Sequence, residues 1–133
     1  MNADLSELQG SGHRVLVIDD EEDIRDTLDV FLSSEGYEVA TAESGEAAVQ
    51  KAQREPFDLA ITDLRMPGMG GDETVAALKR LDPYLPIIVV TGYASDESVV
   101  RCSKAGAFRI VSKPVQLDTL LLLVQAALGG ARA

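Results

Sequence analysis

Four groups of reactive side chains each stand directly behind a short apolar segment of the sequence. Asp19 and Asp20 follow the first segment, Asp63 follows another, Thr91 follows a third and Lys113 follows the last. If these segments are parallel strands of one sheet, the residues just beyond their carboxyl ends meet at one edge. We therefore expect three carboxylates, a hydroxyl and an amine to lie close together.

Converging carboxylates of this kind predict a metal site. Asp19, Asp20 and Asp63 would repel and desolvate one another unless a cation lay among them, and a hard oxygen set suits magnesium. The single histidine, His13, precedes the first apolar segment, and the single cysteine, Cys102, has no second ligand nearby. Zinc and soft transition metals are therefore not expected.

The position of Asp63 also suits a nucleophile. A carboxylate at the end of a central strand can attack phosphorus while magnesium screens the incoming charge. Lys113 would pair with the phosphoryl oxygens, and Thr91 offers a hydroxyl. An acidic pair, a Thr-Gly step or a Lys-Pro step would each be structural if it stood alone. Their coincidence at matching strand ends favours a phosphoryl-transfer site.

The elements that must position these residues alternate along the chain from His13 onward. Short apolar runs alternate with segments of helical period, which indicates βα units and a parallel sheet. The predicted strands are residues 15–18, 38–41, 59–62, 87–90 and 109–111. The second and fifth runs are less apolar and suit sheet edges, which predicts a doubly wound five-stranded sheet of order 2-1-3-4-5.

Five helices are predicted between and after the strands from apolar spacing and capping residues. The first follows Asp20 and stops at Gly36, and the others span residues 44–54, 70–81, 95–106 and 115–128. Ser44 is the predicted N-cap of the second helix, Ser95 opens the fourth, and Gly129 with Gly130 is the predicted end of the fifth.

Length and charge restrict the class of protein. The 133 residues suit one domain, predicted at 13–128, with an arm at 1–12 and a tail or the start of a linker at 129–133. The net charge of −10 opposes non-specific binding to nucleic acid. No apolar run approaches the roughly 20 residues of a membrane span, and no secretory signal is evident. The expected location is the cytoplasm.

At this point the sequence matches a known family. The steps Asp19-Asp20, Thr91-Gly92 and Lys113-Pro114, together with Asp63 and the Met-Pro-Gly at 66–68, closely resemble the receiver domain of response regulators. The resemblance covers about residues 14–128 and extends to the segment 104–108. It implies the flavodoxin-like (βα)5 receiver fold of the chemotaxis-regulator type.

The resemblance also implies a role for each residue. Asp63 would be the phosphoacceptor, supplied by a histidine kinase or a histidine phosphotransfer protein. Asp20, Asp63 and the backbone carbonyl of Arg65 would hold Mg²⁺, which Asp19 would bind through water. Thr91 and Lys113 would bind the phosphoryl group, and the peptide bond before Pro114 would be cis. Such a domain is a signalling phosphoacceptor that catalyses its own phosphorylation and slow dephosphorylation, not an enzyme with an external substrate.

Three positions depart from the family pattern. Ile110 stands where a Tyr or Phe commonly serves as a rotating switch. Arg65 and Tyr93 occupy the two positions that modulate phosphoryl lifetime, and both are large enough to shield a phosphoaspartate from water. Gly70 replaces a residue that is often acidic or polar.

The last helix carries more apolar residues than one sheet-facing stripe needs. The expected inner stripe comprises Leu117, Leu120, Leu121, Val124 and Leu128. The remaining apolar residues are Leu122, Leu123, Ala126 and Ala127. An apolar outer face favours a dimer or effector interface formed with the fourth helix and the fifth strand.

Three other functions compete with a working receiver. A phosphatase of the haloacid dehalogenase type also uses an aspartate nucleophile, but it needs a second aspartate two residues later, where this chain has Arg65. A receiver-like domain that works without phosphate is another alternative, and the complete set of reactive residues argues against it. A nucleotide site would need a glycine-rich loop after the first strand, where this chain is acidic.

Overall fold

Five strands and five helices alternate along residues 12–92 and 97–130, the part of the chain that the computed structural model describes. The strands are β1 (Arg14–Ile18), β2 (Glu38–Ala42), β3 (Leu59–Asp63), β4 (Ile87–Thr91) and β5 (Arg109–Ser112). The helices are α1 (Glu22–Ser34), α2 (Gly45–Arg54), α3 (Gly71–Leu81), α4 (Glu97–Ala105) and α5 (Leu117–Gly130).

All strands are parallel and lie in the order β2-β1-β3-β4-β5, which confirms the predicted topology. The carboxyl ends of neighbouring strands are level: Ile18 pairs with Thr62, and Asp63 pairs with Val90. The residues that follow these ends therefore share one edge of the sheet.

Side chains that alternate along each strand fill two separate cores. In β1, Val15 and Val17 belong to the core beneath α1 and α5. Leu16 and Ile18 belong to the core on the opposite face, beneath α2, α3 and α4. Because both faces of β1, β3 and β4 are covered, these strands are apolar almost throughout, as strands of a parallel sheet between two helical layers must be.

The ends of α5 differ from the prediction. The helix begins at Leu117, two residues after the predicted start, and it continues through Gly130. The prediction that Gly129 and Gly130 end the helix was therefore wrong. Glycine weakens a helix interior by only about 1 kcal/mol, and the buried residues just before it hold the last turns on the sheet. The strands differ from their predicted ends by one residue at most, and Ser95 lies outside the described residues.

The outer face of α5 is smaller than expected. Ala127 is fully buried, and Leu123 is half-buried against the core, so neither belongs to an outer face. Leu122 remains 66% exposed, and Ala126 is exposed beside it. The helix is rotated so that one large apolar residue is left at the surface.

Two local predictions are confirmed. The Ser44 side chain accepts a hydrogen bond from the backbone N–H of Ala47 at 3.0 Å, as an N-cap should. The peptide bond between Lys113 and Pro114 is cis. No helix in the described part of the chain has the length and apolar character that crossing a membrane requires.

Candidate functional site

The predicted carboxylates do converge at the carboxyl edge of the sheet. Carboxylate oxygens of Asp19, Asp20 and Asp63 all lie within 4.8 Å of one another. Asp19 and Asp63 are buried, and Asp20 is exposed. They meet because β1 and β3 are neighbours and end at the same level.

Asp63 is held through both of its carboxylate oxygens. Its Oδ1 accepts a hydrogen bond from the backbone N–H of Leu64 at 2.7 Å. Its Oδ2 accepts one from the Lys113 Nζ at 3.2 Å. The carboxylate is thus oriented by the chain that follows β3 and by the cation that follows β5, and only 8% of the residue is exposed.

Asp19 is the more deeply buried of the pair. Its Oδ1 accepts a hydrogen bond from the backbone N–H of Glu21 at 2.9 Å, and its Oδ2 lies 4.0 Å from the Lys113 Nζ. Burial is the main reason that the pKa of Asp19 is raised from 3.8, and the charges of Asp63 and Asp20 act in the same direction. The site therefore favours a bound cation over three free carboxylates.

Thr91 and Lys113 are linked through the backbone. The N–H of Lys113 donates to the Thr91 carbonyl at 2.7 Å, which places the two residues side by side at the ends of β4 and β5. Thr91 is fully buried. The structure thus brings together Asp19, Asp20, Asp63 and Lys113, with Thr91 beside Lys113.

Two charged residues that the sequence did not indicate support the site. Arg25 in α1 donates to the backbone carbonyl of Asp19 at 2.7 Å. Glu46 in α2 accepts from the backbone N–H of Met69 at 3.1 Å, and so ties α2 to the loop between β3 and α3. Both bonds are made to backbone groups, six positions away for Arg25 and 23 positions away for Glu46, and no motif in the sequence marks them.

A glycine is required where α3 begins. A Cβ on Gly71 would lie 2.7 Å from the Asp63 carbonyl oxygen and 2.7 Å from the Leu64 Cα. The N–H of Gly71 donates to the Leu64 carbonyl at 2.8 Å. The first turn of α3 therefore lies against the chain that carries the candidate nucleophile.

The donor set fits magnesium. The carboxylate oxygens come from two adjacent strand ends, and one of the three residues, Asp20, is exposed. Hard oxygen ligands with room left for water are the environment that Mg²⁺ prefers. Arg65, whose carbonyl is the fourth predicted ligand, follows Asp63 by two residues and has an exposed side chain.

Ile110, a departure from the family pattern, lies in a core and not among these ligands. It is half-buried in the core beneath α2, α3 and α4. Tyr93 lies outside the described residues. Cys102 is buried in α4, where burial raises the pKa of its thiol to about 11, so it is not a thiolate nucleophile at neutral pH.

Comparisons with known proteins agree with this geometry. The family profile of the response regulator receiver domain matches residues 15–125. The chain is 36% identical over 118 residues to the response regulator protein PilR of Pseudomonas aeruginosa, covering 89% of this chain but only 26% of PilR.

Solved structures show the same likeness. A CheY-like receiver domain protein of Methanospirillum hungatei is 36% identical and superposes with a TM-score of 0.88, over 91% of this chain and 97% of that one. The beryllofluoride-activated NtrC4 receiver domain, solved as a dimer, is 33% identical with a TM-score of 0.82, over 89% of this chain and 98% of that one.

Proposed function

Because the chain belongs to the response regulator receiver domain family, we propose that it accepts a phosphoryl group on Asp63 in a magnesium-dependent reaction. A phosphoacceptor role is general to this family. The observation that carries the assignment to this residue is the Asp63 carboxylate, bonded to Lys113 at 3.2 Å and grouped with Asp19 and Asp20. The donor would be a phosphohistidine on a histidine kinase or a histidine phosphotransfer protein.

The transfer forms one bond and breaks one. An Asp63 oxygen attacks phosphorus, and the P–N bond to the donor histidine breaks, so that the ring leaves as neutral imidazole when its other nitrogen carries a proton. Mg²⁺ held by Asp19, Asp20, Asp63 and the Arg65 carbonyl would screen the charge of the phosphoryl oxygens.

Lys113 and Thr91 act on the incoming group. Lys113 already donates to Asp63, so a small movement of its Nζ moves the bond onto a phosphoryl oxygen. The Thr91 hydroxyl, at the neighbouring strand end, would bond to another. Because the Lys113 N–H is bonded to the Thr91 carbonyl, a shift at either residue is transmitted to the other.

The surface that responds to phosphorylation would be formed by α4, β5 and α5. Val100 of α4 is 53% exposed and Leu122 of α5 is 66% exposed, which leaves apolar side chains on two of its elements. The NtrC4 receiver domain is a dimer in its beryllofluoride-activated form. A second copy of this chain or an effector would bind here.

Phosphorylation by a small donor tests the assignment directly. Acetyl phosphate, or the mimic beryllofluoride, should modify or bind the wild-type chain only with magnesium present. Asp63→Asn should abolish modification because the amide is a far weaker nucleophile, while Asp118→Asn, an exposed change in α5, should leave it intact. Intact mass measures the phosphoryl group.

Two results would contradict the proposal. Equal phosphorylation of Asp63→Asn would assign the acceptor elsewhere. A wild-type chain that takes neither reagent, though folded and supplied with magnesium, would be a receiver-like domain that works without phosphate.

A further inference from the structure

A cavity of about 490 Å³ opens beside Asp63, between α1 and α5. The cavity is half open to solvent, and its volume falls within the range of small-molecule sites, about 300–1,000 Å³. The cavity reaches from the carboxyl edge of the sheet down between the two helices, well beyond the carboxylates. Its volume therefore exceeds what a phosphoryl group and a metal ion need.

The walls of this cavity away from the strand ends are apolar. Ile24 and Leu28 line it from α1, and Leu117 and Leu120 line it from α5. Val115 closes it between Pro114 and α5. A side chain larger than valine at this position would extend into the space, so the cavity depends on the residue type at 115. An occupant must have an apolar body.

The charged groups lie at one end only. Asp19, Asp63 and Lys113 line the cavity, and Asp20 belongs to the same carboxylate group. Asp19 is 4% exposed, and within the described chain its Oδ2 has only the ion pair with Lys113, 4.0 Å away, and no hydrogen bond. The Arg25 guanidinium also lies here, on the Asp19 backbone carbonyl, so three carboxylates face two cations and this end stays negative. A cationic head group is therefore attracted, and an anionic one would meet more charges of its own sign.

We propose that the cavity between α1 and α5 binds a small organic amine, with its apolar body between the helices and its ammonium group against Asp19 and Asp63. The ammonium occupies the position where a metal ion neutralises the same carboxylates. Binding of the amine and of magnesium is then mutually exclusive. The amine would hold the domain in a metal-free form that cannot accept a phosphoryl group, a consequence that rests on the proposed function, whereas binding itself does not.

Three probes of similar size that differ in their head group test which charge the cavity binds. Phenethylamine, phenethyl alcohol and phenylpropionate are titrated into the wild-type chain in chelator and followed by methyl NMR. The amine should bind at least about tenfold more tightly than the alcohol, and the carboxylate more weakly still. The shifted methyl groups should be those of Ile24, Leu28 and Val115.

Variants test the place of binding. Val115→Phe should lower the affinity for the amine at least about tenfold by filling the cavity. Val100→Phe, on the exposed face of α4, should leave that affinity unchanged. If Val115→Phe does not fold, Thr27→Met narrows the same cavity from α1. Asp19→Asn should weaken the amine and leave the alcohol unchanged. Saturating magnesium should weaken the amine at least about tenfold.

Several outcomes would overturn the proposal. These are equal binding of the three probes, shifts outside the cavity, unchanged binding in the folded cavity-filling variant, or amine binding that is indifferent to magnesium. None involves phosphoryl transfer, so a chain that binds the amine yet fails with acetyl phosphate would contradict the proposed function alone.

Discussion

Asp19 and Asp63 lie at the ends of adjacent strands and share one cation, yet their surroundings differ. Asp63 accepts hydrogen bonds on both oxygens, from Leu64 and Lys113. Asp19 has a backbone bond on one oxygen only, and its pKa is raised because burial penalises its charged form. At this scale the site carries more negative charge than the Lys113 ammonium neutralises.

The raised pKa of Asp19 predicts how stability depends on pH without metal. A carboxyl whose pKa is higher in the folded than in the unfolded state stabilises the fold below its unfolded value, near 3.8, and this stability is lost as the pH rises through the folded value. The free energy of unfolding of Asp19→Asn should therefore rise relative to that of the wild type over this pH range, by on the order of 1 kcal/mol per unit of pKa difference. Urea unfolding in chelator at a series of pH values measures this.

Magnesium should change the stability of the variant relative to the wild type in the opposite direction, and it serves as the control. At about 100 times its dissociation constant it should stabilise the wild type by on the order of 2.7 kcal/mol and Asp19→Asn by less. A variant whose stability follows the wild type at every pH would mean that Asp19 is not strained by burial.

At the scale of elements, the segment between β3 and α3 decides where Asp63 points. Gly71 lies against the backbone of Asp63 and Leu64, and Glu46 holds the other end of the segment through Met69. These contacts join two helices to the strand that bears Asp63. The strand end is therefore positioned by neighbours that are distant in sequence.

A pair of glycine substitutions tests the close approach at α3. Gly71→Ala should destabilise the chain by about 1–3 kcal/mol, because its Cβ would lie 2.7 Å from backbone atoms that cannot move without shifting Asp63. Gly129→Ala, in α5 with nothing within 4 Å of the added Cβ, should instead stabilise by up to about 1 kcal/mol. Urea midpoints compare them, and a neutral Gly71→Ala would refute the close approach.

Glu46 should act on the metal site without touching it. Glu46→Ala removes the acceptor for Met69, loosens the segment that carries the Arg65 carbonyl and should weaken magnesium binding about tenfold. Glu46→Gln keeps an oxygen acceptor and should lose less of the magnesium affinity. Titration calorimetry with magnesium measures the affinity, and Glu43→Ala, an exposed change just before α2, is the matched control. Equal affinities for all four proteins would exclude this support.

At the scale of the whole molecule, two cores lie on opposite faces of one sheet and leave few large apolar residues exposed in the described chain. The net charge of −10 keeps copies apart in solution unless a specific surface brings them together. Among the described residues, Val100 and Leu122 are the large apolar side chains that α4 and α5 leave exposed for such a surface.

Self-association after activation is expected to depend on Leu122. The beryllofluoride-bound chain should sediment as a dimer at high concentration, and Leu122→Glu should return it to a monomer by placing a charge in an apolar contact. Leu81→Glu, on α3 and 44% exposed, should not. An activated wild-type chain that stays monomeric would leave an effector, and not a second copy, as the partner of this face.

The sequence by itself determined the sheet order and the candidate ligands, because parallel strands covered on both faces are apolar throughout and because reactive residues follow them directly. It also placed the Ser44 cap, which depends on local chemistry. The cis bond before Pro114 was expected from the family resemblance. Tertiary structure decided the rest. The rotation that buries Ala127, the continuation of α5 through Gly130, and the support from Glu46 arise from contacts between segments that are distant in sequence. The cavity beside Asp63 is of the same kind, since it is set by the space that α1 and α5 leave between them, and no spacing of residues along the chain specifies that distance.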